Sequence, residues 1–286
     1  MKTILYSLVA IFIFGIIAMG FTNKANTNNI ILIQVADSNV SSSALSQSAK
    51  IISNRLKDFS SEKFDIAILP AKRQIQVTFT NNWDLKFVND LITKKGTLAF
   101  YETYNRKSLS ELLNDNGHLF SMFKNSAVND SVADIGCCSV KESEKINDYI
   151  NILNLDQKCK FVWSKNFDGS PICLYAIKLD SEKNALMSTT DIDSANYMQD
   201  KESRSNEIEV NFKKSSVDLW ANATKHNIGN AIAIVLDNNV ITAPIVRSEI
   251  DCGHCMISGN FSQDEAKYIA SIINNGELPV TFKRVK

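Results

Sequence analysis

Two stretches near the carboxyl end decide the fold. Residues 231–246 read AIAIVLDNNVITAPIV, and residues 261–280 read FSQDEAKYIASIINNGELPV. In the first, two apolar runs flank Asp237-Asn238-Asn239, and Asn tolerates the positive φ that tight hairpin turns require. In the second, Ser262 and Glu265 have the spacing of a capping box, and the helix that they open ends at Gly276. These patterns predict an apolar hairpin followed by a capped helix.

The residues just before this hairpin carry weaker patterns of the same kind. Glu207 to Phe212 alternates apolar and polar residues, which predicts a half-buried strand. Ser215 or Ser216 then caps a helix that carries Trp220 on its apolar face. Asp191 to Arg204 is polar, and we expect an exposed loop there.

The amino-terminal part of the chain reads as a second unit. Helical and strand spacings alternate cleanly from residue 30 to residue 104. The predicted order is strand 30–35, helix 45–59, strand 64–69, strand 75–79, helix 84–94 and strand 97–104. This order is the ferredoxin-like split βαββαβ motif. The fold class is therefore predicted as α+β.

The middle of the chain is less regular. Helices are predicted around residues 109–120 and 146–153. Phe161 to Trp163 and Ile172 to Leu179 are predicted strands around a turn at residues 166–169. Residues 125–143, NSAVNDSVADIGCCSVKES, are polar and predict a loop.

Composition excludes several functional classes. Lys and Arg total 31 and Asp and Glu total 31, so the chain offers no basic stripe for nucleic acid. Glycine is scarce at 10 residues, and neither a phosphate-binding loop nor a Gly-x-Ser-x-Gly motif is present. We therefore expect no catalytic residues, no small-molecule cofactor and no enzymatic activity.

An apolar leader opens the chain. Ile4 to Phe21 contains neither charge nor proline, and its length is nearer to a membrane span than to a signal-peptide core. Ala18-Met19-Gly20 is nevertheless an acceptable cleavage site. Two alternatives stay open: a single-pass anchor in the cytoplasmic membrane, or a cleaved signal peptide that releases the protein to the periplasm. Both place the remainder outside the cytoplasm.

Several motifs together resemble the SecD family of protein-export membrane proteins. The most specific resemblance lies in the carboxyl-terminal block, where a hairpin, a strand and the end of a helix each match the family pattern. Its matching residues are Ala233–Asp237, Ala243-Pro244, Ile257–Ser262 and Gly276–Pro279, with Thr190-Asp191-Ile192 and Ala195 upstream.

A second, less specific block lies between Ala49 and Tyr101. It includes IISNRLKDF at residues 51–59, with its Asn-Arg pair, and GTLAFYE at residues 96–102. Two turns depart from the family: Ser60-Ser61 stands where Gly-Val is usual, and Asn81-Asn82 stands where Pro-Gly is usual.

The resemblance implies an arrangement and a function. It implies a leader at 1–23, a SecD base-like domain at 28–105, a divergent linking region at 106–185 and a SecD head-like domain at 186–286. SecD proteins carry further membrane spans that couple export to the proton gradient, and none of these is found in this sequence. The implied role is a non-enzymatic accessory in protein translocation across the cytoplasmic membrane. The implied partners are exported preproteins or components of the Sec translocon.

Six cysteines in an exported domain suggest disulfides. Cys159 and Cys173 flank the predicted hairpin turn, so we expect them to face each other across it. Cys137 and Cys138 are adjacent and would form a strained bridge, so partners elsewhere are expected for them.

Cys252-Gly253-His254-Cys255 has the letters of a redox motif, which gives the rival hypothesis of a thiol-disulfide oxidoreductase. The motif falls in a predicted strand-turn-strand, whereas a reactive thiol needs the start of a helix. A structural disulfide or free thiols are the other interpretations of Cys252 and Cys255. No second Cys or His pair completes a metal site.

A third hypothesis is a self-assembling structural protein of the cell envelope.

Overall fold

The computed structural model describes residues 29–36, 40–80, 82–115, 117–123, 132–155, 158–167, 169–179 and 185–285. The leader, Ile4 to Phe21, lies outside these residues and stays a prediction. None of the helices within the described ranges has both the length and the apolar content for a membrane crossing. Over the same ranges the chain forms fourteen strands in four antiparallel sheets, with seven α-helices. The predicted mixture of helices and strands is confirmed.

The first sheet contains the amino-terminal elements. Its strands lie in the order β14-β1-β3-β2. They are β1 (Asn29–Val35), β2 (Phe64–Leu69), β3 (Gln74–Phe79) and β14 (Phe282–Arg284). Helices α1 (Ser42–Phe59) and α2 (Leu85–Thr93) contribute the buried residues of their apolar faces to the same core. Ser41 caps α1, since its hydroxyl accepts a hydrogen bond from the backbone N–H of Ala44.

The last strand of the predicted βαββαβ unit is not in this sheet. Strand β4 (Leu98–Glu102) pairs instead with β11 (Ile232–Leu236) and with β8 (Met187–Ser188). The place beside β1 is taken by β14, with Val35 opposite Phe282. That part of the ferredoxin-like prediction is wrong. The first three residues of β4 are buried, which suits a strand with neighbours on both sides in the sheet. Strand β14 leaves two basic residues exposed, which suits the edge of a sheet.

Apart from β4, the strands of the second and third sheets come from the carboxyl-terminal half. The second has the order β12-β11-β4-β8, with β12 at Asn239–Thr242. The third has the order β13-β10-β9, and its strands are β9 (Ile192–Gln199), β10 (Asn206–Phe212) and β13 (His254–Phe261). Helix α6 (Val217–His226) precedes the hairpin of the second sheet, and α7 (Gln263–Asn275) contacts β9 and β10.

The expected exposed loop from Asp191 to Arg204 is wrong, because β9 occupies most of it. Asp193 and Asn196 are exposed along β9, while Ile192 and Ala195 are buried, and the strand pairs with β10. Ser216 occupies the predicted cap position of α6, but its hydroxyl donates to the Asp191 carboxylate at 2.9 Å rather than capping the helix.

The fourth sheet forms a lobe from the middle of the chain. Its order is β5-β7-β6, with β5 at Asp134–Cys138, β6 at Cys159–Trp163 and β7 at Ile172–Lys178. Three helices accompany it: α3 (Arg106–Leu113), α4 (His118–Ser121) and α5 (Val140–Leu153). The loop predicted at 125–143 is wrong over its described residues, since β5 and the start of α5 lie there. Ser139 and Glu142 form a capping box at the start of α5.

Two main apolar cores follow this layout. The larger is shared by the first three sheets and α1, α2, α6 and α7, while the smaller belongs to the lobe of the fourth sheet. Strand β14 comes from the end of the chain and joins strands from its beginning. The predicted domain boundaries stay predictions.

Candidate functional site

Residues from four of the family-like motifs meet at one place, which we call the motif junction: Arg55, Gly96, Asp237 and Gly276. Asp237 lies in the turn between β11 and β12 with a positive φ of 48°. Its carboxylate accepts hydrogen bonds from the backbone N–H groups of Gly96, at 2.8 Å, and Thr97, at 2.9 Å. The hairpin turn is thereby fixed to the chain that leads into β4.

Arg55 is the centre of the motif junction. Its side chain is fully buried and donates to the carbonyls of Leu91, Lys94, Lys95 and Gly276. These carbonyls lie at or just beyond the carboxyl ends of α2 and α7, where the helix dipole favours a cation. Burial lowers the pKa of Arg55 to about 10, an effect that the charge of Asp237 partly opposes, so the guanidinium stays charged at neutral pH.

Gly96 completes the motif junction by its lack of a side chain. Its φ is +87°, and an added Cβ would overlap the Arg55 guanidinium and lie 3.1 Å from the Gly276 carbonyl oxygen. The backbone N–H of Leu278 donates to the Lys95 carbonyl at 2.8 Å nearby. These motif residues therefore hold α1, α2, α7 and the hairpin together, and they form no accessible site.

The accessible candidate is an apolar groove of about 250 Å³ between α6, β11 and β13. Most of its walls are apolar side chains from these elements and from the segment that follows β12. The lining residues are Trp220, Thr224, Ile232, Ile234, Pro244, Ile245, Val246, Arg247, Ser248, Ile250, Cys255 and Met256. We call this set the head groove.

Aromatic and backbone contacts fix the walls of the head groove. The Trp220 ring packs against Phe212 and Phe100, with centroids 5.0 and 5.3 Å apart. The Thr224 hydroxyl accepts a hydrogen bond from the backbone N–H of Ile250 at 2.9 Å. Val246 exchanges backbone hydrogen bonds with the turn after α6, at 2.9 Å each. These contacts hold the walls of the groove in place within the fold.

Exposed apolar residues continue the head groove onto the surface. Ile228, beside the lining residue Val246, is 51% exposed, and two lining residues, Ile245 and Met256, are 41% and 38% exposed. Arg247 contributes a charged group to its lining, and Lys225 and Glu249, which follow Thr224 and precede Ile250 in the sequence, form an ion pair at 3.2 Å. An apolar concavity with a polar rim fits apolar side chains.

Sequence patterns alone do not reveal the head groove. They place Trp220 on the apolar face of a helix and mark the two strands of the hairpin only as a motif. The sequence signal for the groove is the apolar run Pro244-Ile245-Val246. This run lies beyond the end of the strand, and Pro244 and Ile245 are exposed.

The cysteines pair differently from the prediction. The disulfide joins Cys137 to Cys173, across the β5–β7 pair. The expected Cys159–Cys173 contact is wrong, because the register of β6 against β7 places Cys159 opposite Lys178. Cys159 is a buried free thiol, and burial raises its pKa to about 12.

Cys252 and Cys255 are both free thiols at the start of β13. Cys255 is buried opposite Val210, and burial raises the pKa of its thiol to about 12. Cys252 is exposed, with its Sγ 3.9 Å from Nε2 of His254. A strand rather than a helix follows the pair, so the helix N-terminus that favours a thiolate is missing here. Among the described residues no group of three or more acidic, His or Cys side chains could hold a metal ion.

Comparisons with known proteins agree with the motifs. Residues 174–280 match the family model described as SecDF, P1 head subdomain. The protein translocase subunit SecD of Calditerrivibrio nitroreducens is 31% identical over 133 residues, which cover 42% of this chain and 26% of that protein. The protein translocase subunit SecDF of Thermus thermophilus is 38% identical over 77 residues, covering 27% of this chain and 10% of that one.

A solved structure shares the fold. It is titled "Structure and function of a membrane component SecDF that enhances protein export", and it is 19% identical, with a TM-score of 0.52, covering 90% of this chain and 98% of that one. The chain spans about a quarter or less of the length of the two curated relatives named above. Residues 174–280 are therefore similar to the head region of the SecD family.

Proposed function

We propose that this protein takes part in protein translocation across the cytoplasmic membrane as a non-enzymatic binding domain. The head groove would hold apolar segments of exported polypeptides before they fold. The observation that carries the proposal is an apolar groove with exposed apolar margins inside the region that matches the SecDF head subdomain. The names of the similar proteins, which are translocase subunits, support it.

The size of the head groove suits a transient grip on an unfolded chain. In an extended polypeptide, alternate side chains point the same way, so one or two apolar side chains would enter about 250 Å³. Each buried Val or Leu side chain contributes about 1.5–3 kcal/mol. A dissociation constant of about 1 mM corresponds to about 4 kcal/mol. The expected affinity is therefore weak, and it allows release of the moving chain.

The proposed location follows from the leader and from the family. We place the described part on the extracytoplasmic side, held by residues 4–21 as a single-pass anchor or secreted after cleavage of the leader. The proposed partners are exported preproteins and components of the Sec translocon.

The test measures binding of a fluorescent unfolded polypeptide, reduced and carboxymethylated α-lactalbumin, to the full chain by anisotropy. Ile245→Glu places a charge on the exposed margin of the head groove, and we expect the affinity to fall at least fivefold. Ile152→Glu is the matched control, since Ile152 is 77% exposed on α5 in the lobe of the fourth sheet. Equal affinities for Ile245→Glu and the wild type, or an equal loss in both variants, would count against the proposal.

A further inference from the structure

Lys165 lies where the lobe of the fourth sheet meets the rest of the molecule. Its ammonium group forms an ion pair with the Asp90 carboxylate of α2, with Nζ and Oδ2 2.7 Å apart. The side chains are only 17% and 22% exposed, so the pair is better shielded than the other ion pairs that the described residues form. Shielding from water and salt strengthens such a pair.

Aromatic rings enclose the same ammonium group. The Nζ of Lys165 lies 5.5 Å from the centroid of the Tyr268 ring and 5.7 Å from that of Phe167. Both distances are within the range of a cation–π interaction. The Tyr268 hydroxyl also lies 3.5 Å from the Asp90 carboxylate and donates to it. Burial raises the pKa of Tyr268 and keeps the phenol neutral.

The backbone around Lys165 is attached to a third element. Its N–H donates to the carbonyl of Val240 in β12 at 2.8 Å, although Lys165 itself follows β6. The preceding N–H, that of Ser164, donates to the Cys173 carbonyl within the hairpin of β6 and β7 at 2.8 Å. The two successive amides therefore report on different contacts. The Ser164 amide reports on a hydrogen bond inside the lobe, and the Lys165 amide on a hydrogen bond between the lobe and the second sheet.

The segment from Ser164 to Phe167, which we call the strap, covers an aromatic surface. The Phe167 ring meets Tyr268 edge to face at 6.3 Å, and Tyr268 in turn packs against Phe87 of α2 at 5.5 Å. Tyr268 and Phe87 are 2% and 7% exposed beneath it. Two side chains of the strap, those of Lys165 and Phe167, contact Asp90 of α2 and Tyr268 of α7.

We propose that the strap is a latch that opens and closes, and that the Lys165–Asp90 ion pair holds it shut. Opening separates the ammonium from Asp90 and lifts Lys165 from Val240, while the hairpin of β6 and β7 stays folded. It uncovers the rings of Tyr268 and Phe87 and frees the lobe from α2. This inference goes beyond the proposed function and does not depend on the head groove.

The test measures hydrogen exchange at single amides of the full chain by mass spectrometry with electron-transfer fragmentation. Lys165→Met removes the charge and keeps the length, and Asp90→Asn removes the opposite charge. In both variants we expect the Lys165-position amide to exchange about five- to tenfold faster, as a loss of one shielded ion pair implies. The Ser164 amide should keep its wild-type rate.

The matched control is Lys160→Met, since Lys160 lies on β6 and its ammonium donates to the exposed Asn238 side chain at 2.9 Å. It should leave both amides unchanged. An unchanged rate at position 165 in Lys165→Met and Asp90→Asn would overturn the proposal. Equal acceleration at 164 and 165 would also overturn it, because that result means local unfolding of the hairpin rather than release of the strap.

Discussion

At the scale of single residues, Gly96 shows how packing alone can restrict a motif position to one residue type without any binding role. Its positive φ alone would favour glycine, but the space at its Cα is also taken by the Arg55 guanidinium. Because Arg55 makes four hydrogen bonds in a buried site, it cannot move aside cheaply. The glycine and the arginine are therefore required together.

This pairing predicts the effect of Gly96→Ala. We expect the free energy of unfolding to fall by about 3–5 kcal/mol, since backbone strain adds to the displacement of a buried charged group. Gly229→Ala is the control, because Gly229 has a similar φ of +83° but an added Cβ would contact nothing within 4 Å. It should cost only about 1 kcal/mol. Urea unfolding measures both, and equal losses would exclude the guanidinium clash as the cause.

Asp237 is the acceptor at the same place. Asp237→Asn keeps a residue that tolerates positive φ but removes the charge that faces Arg55 and the backbone N–H groups of Gly96 and Thr97. We expect a loss of about 1–3 kcal/mol in the free energy of unfolding. Asp193→Asn makes the same change at an exposed position of β9 and should be nearly neutral. If the two variants had the same stability, the charge of Asp237 would have no role in the motif junction.

At the scale of elements, local patterns predicted most helices and strands but not all of their partners. The apolar spacing of α1 and the capping box of α7 depend on neighbours within a few residues, so the sequence predicts both helices. The place of β4 depends on β11, more than a hundred residues away, and no local pattern encodes that pairing. Strand β9 was missed because its solvent face is polar, and its burial comes from β10 and α7.

The candidate site was less predictable than the fold. The head groove is assembled from a helix, two strands and the segment after a hairpin, and each contributes apolar residues that resemble ordinary core residues in the sequence. The cysteines show the same limit: the Cys137–Cys173 disulfide follows from the register of β5 against β7, which spacing alone does not give. The sequence motifs are enough to predict the family resemblance. The groove can be recognised only when the positions of the helix and strands relative to one another are known.

At the scale of the whole molecule, the two cores predict that elements sharing one core unfold together, while elements in different cores unfold separately. Trp83 and Trp220 belong to the larger core, although one follows β3 and the other lies on α6. Trp163 packs against the smaller core of the fourth-sheet lobe. The three tryptophans of the chain therefore report on separate places, and variants that keep one tryptophan, with Phe at the other two positions, give separate unfolding curves.

We expect the Trp83 and Trp220 curves to coincide in urea, because β14, β4 and Arg55 connect the sheets around one core. Reduction of Cys137–Cys173 should move mainly the Trp163 curve to lower urea. The disulfide closes a loop of sequence separation 36 within the lobe, and loop entropy assigns such a bridge about 4 kcal/mol. The control is the double variant Cys137→Ser and Cys173→Ser, which should reproduce the reduced curve without reductant. An equal shift of all three curves on reduction would mean that the lobe unfolds together with the larger core, and the separation into two cooperative units would be wrong.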